Sequence, residues 1–368
     1  MTWLGLRFAL REPTRFALTA GGLACAVVLT VFLAGVYRST LYSSLSYVSG
    51  AEADVWVGRQ GSWNLMRSSG VLHGSVGRRI LEMDGVQDVE PVLVAFLAGE
   101  VGELRRTLMV LGIEEDAEAA RPRHVRAGNA IPGHGEIVVD RAFASRAGVG
   151  LGDTVTLADH PLVVSGITDD TNLLVTQYCF VARRDLVAAV GLGDIASFFL
   201  VRAAPGWRRD LASRVEHHIE GVAAFDRETF IANNREEVES GFLPVLWAIA
   251  LLGLVVGGSI VAIMTYAAVL EKREDYVVLA AIGAGPAIRF SIVMQQAMAA
   301  ALVGAVVGLA ALFLLQSALP TVVPELQLRL EPWIAGVAIV GAMAMAAAGA
   351  AIPGRVATRF APLEALRR

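Results

Sequence analysis

The stretch EKREDYVVLAAIGAG, residues 271–285, decides how this chain is read, because it sits between two of the most apolar runs in the sequence. Five consecutive charges, Glu271, Lys272, Arg273, Glu274 and Asp275, follow a run that has none, and Lys272 is the sole lysine in the chain. An apolar segment of helical character comes next and ends in glycines. Tyr276, Leu279, Ala280 and Gly283 fall on one helical face at the 3–4 spacing, and glycine readily ends a helix. Charges for orientation, an apolar face to bury and a glycine stop make a docking element for a partner. The bland alternative is an amphipathic linker lying on a membrane surface.

The flanking runs set the scale. Residues 16–37 carry no charge and would make about 33 Å of helix, enough for a bilayer core of about 30 Å. Residues 241–270, 290–319 and 333–352 are three further uncharged runs of that order. Buried soluble helices are the competing reading, and four such runs in one chain weigh against it. The string GGLAC suggests a lipoprotein site at Cys25, but Gly22 stands where such sites usually have Leu, and the apolar run continues to Tyr37. An uncleaved span is therefore expected.

Composition agrees with membrane helices plus a water-facing domain. Of the 368 residues 55% are hydrophobic and 18% charged, against about 45–50% and about 25% in ordinary globular chains. A formal net charge of −4 argues against nucleic acid as a partner. Two cysteines, Cys25 and Cys179, do not make a disulfide framework.

Arginine placement gives an orientation. Arg7, Arg11 and Arg15 precede the first span, Lys272, Arg273 and Arg289 lie between the second and third, and Arg355, Arg359, Arg367 and Arg368 follow the fourth. All fall on one side of a four-span topology, which the positive-inside rule makes cytoplasmic. The expected organisation is a cytoplasmic segment 1–15, spans at 16–37, 241–270, 290–319 and 333–352, and an outside domain at 38–240. A cytoplasmic segment 271–289, a short outside loop 320–332 and a cytoplasmic tail 353–368 complete it. Gly253 and Gly257 form a GxxxG in the second span, as do Gly304 and Gly308 in the third; small residues so spaced let helices approach closely. No Asp, Glu, Lys, Arg or His lies in any of the four runs, so no ion relay is visible there.

The region 38–240 alternates strand and helix patterns. SLSYVSGAEADVWVGRQGS reads as a segment leaving the membrane into a strand, and GSVGRRILEMDGVQDVEPVLV as helix, turn and strand. GEIVVDRAFASRAGVGLGDTVTL and HPLVVSGI continue the alternation, TQYCFVARRDLVAAVG adds a strand and a helix, and DLASRVEHHIEGVAAF reads as one amphipathic helix. The fold expected is an α+β domain inserted between the first and second of four transmembrane helices. His217 and His218 are adjacent, not an i, i+4 metal pair; His73, His124, His134 and His160 show no ligand spacing; and Asp169-Asp170 reads as a turn. No catalytic or metal site is expected, and with Lys272 as the sole lysine no P-loop is possible.

Three separated stretches carry a resemblance. EKREDYVVLAAIGA resembles the segment between the second and third spans of the MacB/FtsX-like ABC transporter permeases. GEIVVDRAFASRAGVGLGDTV with VVSGI resembles the periplasmic core domain of MacB-type members, and IPGRVATRFAPLEALRR resembles the family's ending. They stand in the expected order and together cover essentially the whole chain. The resemblance implies a type VII ABC system: a permease subunit, no enzyme by itself and binding no cofactor, associated in two copies with two copies of a separate ABC ATPase that carries ATP and Mg²⁺. By position, Glu271, Lys272, Arg273, Glu274, Asp275, Tyr276, Leu279, Ile282, Gly283 and Ala284 are implied as the ATPase-coupling segment. Asp275 and Tyr276 depart from the Glu-Ile/Phe common there.

The expected place is a bacterial inner membrane, multi-pass, with membrane lipids and a second permease copy as neighbours. Efflux of a hydrophobic or amphipathic substrate ranks first; the layout is most similar to the DevC-type branch, in which a membrane-fusion protein is a further partner. An FtsX-type mechanotransmitter acting on a cell-wall hydrolase is the alternative, because such ectodomains are smaller and lack the GEIVV…VVSGI stretch. Lipoprotein extraction shares the same mechanics.

Overall fold

In a computed structural model of the chain, which describes residues 13–67 and 70–360, each uncharged run is the spine of a helix. The expectations at Arg7, Arg11, Arg367, Arg368 and the last residues of the family-like ending lie outside the described residues. The chain enters through α1 (Pro13–Gly50) and continues into β1 (Val55–Arg59), β2 (Leu72–His73), α2 (Gly74–Leu81), β3 (Val86–Val101) and β4 (Leu104–Ile113). Next come β5 (Val125–Gly128), β6 (Glu136–Asp140), α3 (Arg141–Ala147), β7 (Thr154–Leu157), β8 (His160–Thr168) and β9 (Gln177–Ala182). Then α4 (Arg183–Val190), β10 (Ile195–Ala196), β11 (Phe198–Ala203), α5 (Leu211–His218) and β12 (Val222–Asp226) lead back. The chain ends in α6 (Arg227–Glu271), α7 (Arg273–Ala281), α8 (Pro286–Val322) and α9 (Pro332–Arg359). Of these, α1, α6, α8 and α9 are long and apolar enough to cross a membrane.

Two compact units result, a helical one of Met1–Tyr37, Leu243–Ala318 and Leu328–Arg368, and an α+β one of Arg38–Phe242 and Leu319–Gln327. In the α+β unit, β12, β1, β11 and β3 lie side by side in that order, every pair antiparallel. With α2 and α5 this is the β-α-β-β-α-β arrangement of ferredoxin-like folds. Strand β3 runs 16 residues, long enough to serve a second structure. Its neighbours continue as β4, β9, β6 and β8, and β7 pairs with both β8 and β3, so these six strands close on themselves. Closure removes exposed strand edges.

Strand alternation decides which core each residue serves. Leu108 and Val110 of β4, Ile137 and Val139 of β6 and Cys179 and Val181 of β9 form one core, with Val155 and Val164. The intervening Met109, Leu111, Val138, Tyr178 and Phe180 face a second core, which also takes Tyr47 and Val48 of α1 and Phe230 of α6. Trp56 stacks on Phe230 with ring centroids 4.5 Å apart and 14° between planes, and Tyr47 lies 5.4 Å from Phe180. The Glu90 carboxylate fixes the adjoining loop, accepting the backbone N–H groups of Glu118, Ala119 and Ala120 at 2.9–3.0 Å.

Strand β1 falls within SLSYVSGAEADVWVGRQGS as expected, and before it α1 continues as helix from Tyr37 to Gly50. Its serines have modest helix propensity, but Ser39, Thr40, Ser43, Ser44 and Ser46 are buried, and packing overrides propensity. DLASRVEHHIEGVAAF is not one helix: α5 stops at His218, Gly221 turns with φ of +77°, and VAAF becomes β12 against β1. Asp226 then caps α6, its carboxylate accepting the N–H of Thr229 at 2.8 Å.

In the helical unit the glycines differ in what they do. A Cβ added at Gly304 would meet the Ala20 carbonyl of α1 at 2.5 Å, and one at Gly308 the Ala24 carbonyl at 2.9 Å. On α6, Gly257 faces Ala26 at 3.3 Å and the Met345 sulfur at 3.2 Å, whereas Gly253 meets only Thr30 Oγ1 at 3.7 Å. Gly349 of α9 sits against the Gly258 carbonyl, where a Cβ would stand 2.7 Å away. Gly304→Val should therefore force α8 from α1 and cost about 1–3 kcal/mol, read as a lowered melting temperature in detergent; Gly253→Ala should change it little. In the other unit, Phe230→Ala should destabilise by about 3–5 kcal/mol, measured by chemical unfolding followed through tryptophan fluorescence.

Candidate functional site

Helix α7 is separated from α6 by the single residue Lys272, and Glu274 and Asp275 place acids in its first turn, where they complement the helix dipole. Its far end is closed by the backbone alone. Gly283, with φ of +92°, donates to the Ala280 carbonyl at 3.1 Å while Ala284 donates to the Leu279 carbonyl at 2.9 Å. This pair of bonds around a left-handed residue is a Schellman stop. Arg289 is buried, and its guanidinium donates to the carbonyls of Ala357 and Phe360 at 3.2 and 2.9 Å, pinning the start of α8 to the end of α9. Arg273 lies over the Phe360 ring at 5.6 Å, and Arg15 of α1 pairs with Glu271.

Packing corrects the docking face expected from the sequence. Tyr276 is 1% exposed in the helical core and Leu279 packs partly buried against that core, so this side of α7 is spent within the chain. The outward apolar residues are Val278, 59% exposed, and Ile282, 74% exposed, beside the exposed Glu274 and Asp275. Periodicity groups residues by face; it does not say which face the bundle takes.

A second feature is a groove of about 480 Å³ between α1, α6 and α9. Val31, Ala34, Leu246, Leu254 and Val337 belong to its lining, with Tyr37, Trp247 and Trp333. Its polarity is low, and it is a plausible berth in size and chemistry for an apolar chain.

A third feature lies in the α+β unit, where Leu319–Gln327, the last turn of α8 and the start of its connection to α9, is held by Glu325. Arg146 of α3 grips the Glu325 carboxylate with two bonds of 2.8 and 2.6 Å, and Asn172 donates to the Glu325 carbonyl at 2.6 Å. Arg146 holds the Glu325 carboxyl below its usual range. The same neighbourhood is braced by buried Asp140, which caps α3 through the N–H of Ala142 at 2.7 Å and accepts the Thr171 hydroxyl at 2.6 Å. No local pattern in the sequence marked Glu325, Arg146 or Asn172.

The histidines and paired aspartates serve structure. His217 and His218 bond the carbonyls of Ser213 and Arg214 in their own helix, His134 lies 2.5 Å from Asp185, and Asp169 pairs with Arg126 and Arg141. Asp170 adopts φ of +62°, as a turn requires. Among the described residues no group of three or more His, Cys, Asp or Glu could hold a metal ion.

Four apolar helices with an α+β domain inserted after the first define a permease-type membrane subunit with a large outside domain. The MacB-like periplasmic core domain family matches residues 16–216 and the FtsX-like permease C-terminal family matches residues 247–362. The chain belongs to the MacB/FtsX-like ABC permeases. Among solved structures it is similar to the periplasmic region of MacB from Actinobacillus actinomycetemcomitans, at 16% identity and a TM-score of 0.39, covering 50% of this chain and 94% of that one. It is also similar to the extracellular domain of the noncanonic ABC-type transporter YknZ from Gram-positive bacteria, at 13% identity and a TM-score of 0.37, covering 47% and 99%. A domain of a permease protein from Porphyromonas gingivalis matches at 14% identity and a TM-score of 0.34, covering 48% and 92%. A comparison with curated proteins returned no match.

Burial pushes the Asp140 carboxyl up to about 6, against the hydrogen bonds from Thr171 and Ala142 and the nearby Arg141 that favour its charged form. A folded-state value above the unfolded one means the folded state holds the proton longer, so this group's contribution falls as pH rises from about 4 to about 6. The cost at neutral pH is on the order of 3 kcal/mol. Asp140→Asn should flatten that part of the stability–pH curve, measured as unfolding midpoints between pH 4 and 7.

Proposed function

We propose that this chain couples ATP hydrolysis by a separate ABC ATPase to motion of its outside domain, and that the work serves efflux of a hydrophobic or amphipathic substrate. The observation that carries the reading is α6. It is one helix of 45 residues, about 68 Å at 1.5 Å per residue. Its last residue adjoins α7, and near its start Phe230 is stacked in the domain core. Displacement of α7 by a partner would be carried along this rod, with Pro244 inside it, a residue that has no backbone N–H to donate. The hold on Glu325 gives the α8–α9 connection its own grip in the same domain.

In this reading two ATPase copies, carrying ATP and Mg²⁺, bind the outward side of α7 in each of two permease copies. Both termini are cytoplasmic, and the host membrane is a bacterial inner membrane. The groove between α1, α6 and α9 favours efflux over pure force transmission, because it offers an apolar site in size suited to a lipid-like molecule. A membrane-fusion protein would receive what leaves it.

Tagged chain purified from its native membrane should bring down an ATPase. Burial of an aliphatic side chain contributes about 1.5–3 kcal/mol, so Ile282→Asp and Val278→Asp should each weaken that association about tenfold or more while insertion stays intact. Unchanged recovery of the ATPase with both variants would overturn the docking face. A membrane-fusion protein in the same eluate supports efflux; a cell-wall hydrolase in its place moves the function to mechanotransmission.

A further inference from the structure

We propose that the α+β unit has a membrane-facing site of its own beside Glu325, where Arg106 and Arg146 take the phosphate of an anionic lipid and Val175 enters the headgroup layer. The site is a hollow of about 280 Å³ whose lining includes Arg106, Arg146, Glu325, Leu174, Val175 and Val323. All six belong to that one unit.

The turn between Asn172 and Gln177 is the first reason. Val175 at its tip is 86% exposed, the highest value for a large apolar side chain among the described residues. Its exposure is enforced by the backbone. Leu174 adopts φ of +72°, and the Val175 N–H donates to the Leu173 carbonyl at 2.9 Å, a γ-turn with positive φ that is rare and strained. Asn172 braces it by accepting from the Leu174 N–H and the Gln177 amide, both at 3.0 Å. A strained turn that holds a valine in water points to an apolar surface that receives it.

Charge and chain position name that surface. The lining sets two guanidinium groups against one carboxylate. Arg146 is bonded to Glu325, whereas Arg106 acts on that carboxylate through its charge without a hydrogen bond to it. The Thr176 hydroxyl donates to the Thr107 carbonyl at 3.0 Å, which sets the Arg106 end of β4 beside the turn. One positive charge is in excess, and guanidinium groups suit phosphate oxygens. Val323 is the first residue after α8 and Glu325 the third, at most about 11 Å of extended chain from the end of that helix. The connection then returns to α9 at Pro332, and both helices are apolar enough to cross a membrane. In the orientation that the arginines give, this connection is on the outer side. An anionic lipid offers both a phosphate for the arginines and an apolar layer for Val175; free phosphate offers only the former.

The test uses the full chain in lipid nanodiscs and needs no ATPase, so it stands apart from the coupling reading. Val175→Cys carries a polarity-sensitive fluorophore in a Cys25→Ser background; Cys179 is buried. The discs are phosphatidylcholine with an increasing share of phosphatidylglycerol and a trace of lipid bearing a headgroup nitroxide. Emission should shift to the blue and be quenched by the nitroxide as the phosphatidylglycerol share rises, and excess inorganic phosphate should not reverse it. One cation near a membrane surface is worth about fivefold in affinity for anionic lipid, so Arg106→Gln should raise the share needed for half-maximal quenching about fivefold. A fluorophore quenched by aqueous iodide in every disc would overturn the proposal. So would shielding from both quenchers, which would mark a protein contact, and so would quenching that ignores phosphatidylglycerol and Arg106→Gln or is abolished by inorganic phosphate.

Discussion

The stack of Trp56 on Phe230 joins strand β1 to the start of α6. Trp56 belongs to the central strands of the ferredoxin-like half, between β11 and β12, and Phe230 stands one turn into α6. Around them Phe198 meets both rings, at 6.1 and 5.4 Å, and Tyr47 brings α1 into the same cluster at 6.4 Å from Trp56. Aromatic contacts of this kind combine large apolar burial with defined ring geometry. The ends of α1 and α6 that belong to the α+β unit thus pack with its strands in one aromatic cluster.

Close approach does the corresponding work in the helical unit. Lipid is as apolar as the helix surfaces, so helices associate there by packing and hydrogen bonds. Gly304 and Gly308 admit the α1 backbone, and Gly349 admits α6 at Gly258. Alanines fill what remains: Ala297, Ala301, Ala305, Ala342, Ala346 and Ala350 are all in that core. The large apolar residues of α6 point outward in consequence, among them Val245, Trp247, Leu251 and Leu252.

Much of this was legible in the residues because the causes are local. The uncharged runs give the spans, and the glycine after Ile282 gives the helix stop, since a left-handed residue closing a Schellman pair needs no tertiary partner to be recognised. The four-helix plan and the inserted α+β domain followed from those signals. What stayed hidden depends on distant chain. Leu279 and Ile282 look alike as apolar residues of one short helix, and only the bundle decides that Tyr276 and Leu279 turn in. Gly253-x-x-x-Gly257 and Gly304-x-x-x-Gly308 are the same motif on paper, yet only the second meets a partner backbone at both positions. Glu325 sits in a short connection with no periodicity, and its significance comes from Arg146 and Asn172, more than a hundred residues earlier.

Ion-coupled transport moves charge past fixed charges, and such groups are conspicuous when present within a span; here residues 16–37, 241–270, 290–319 and 333–352 contain no Asp, Glu, Lys, Arg or His. Three places are instead held firmly within their own unit: the Schellman stop and the buried Arg289 beside α7, the aromatic cluster at Phe230, and the bidentate hold of Arg146 on Glu325. Each resists slippage by a different interaction, respectively backbone hydrogen bonds with a buried cation, ring packing, and a charge-assisted pair.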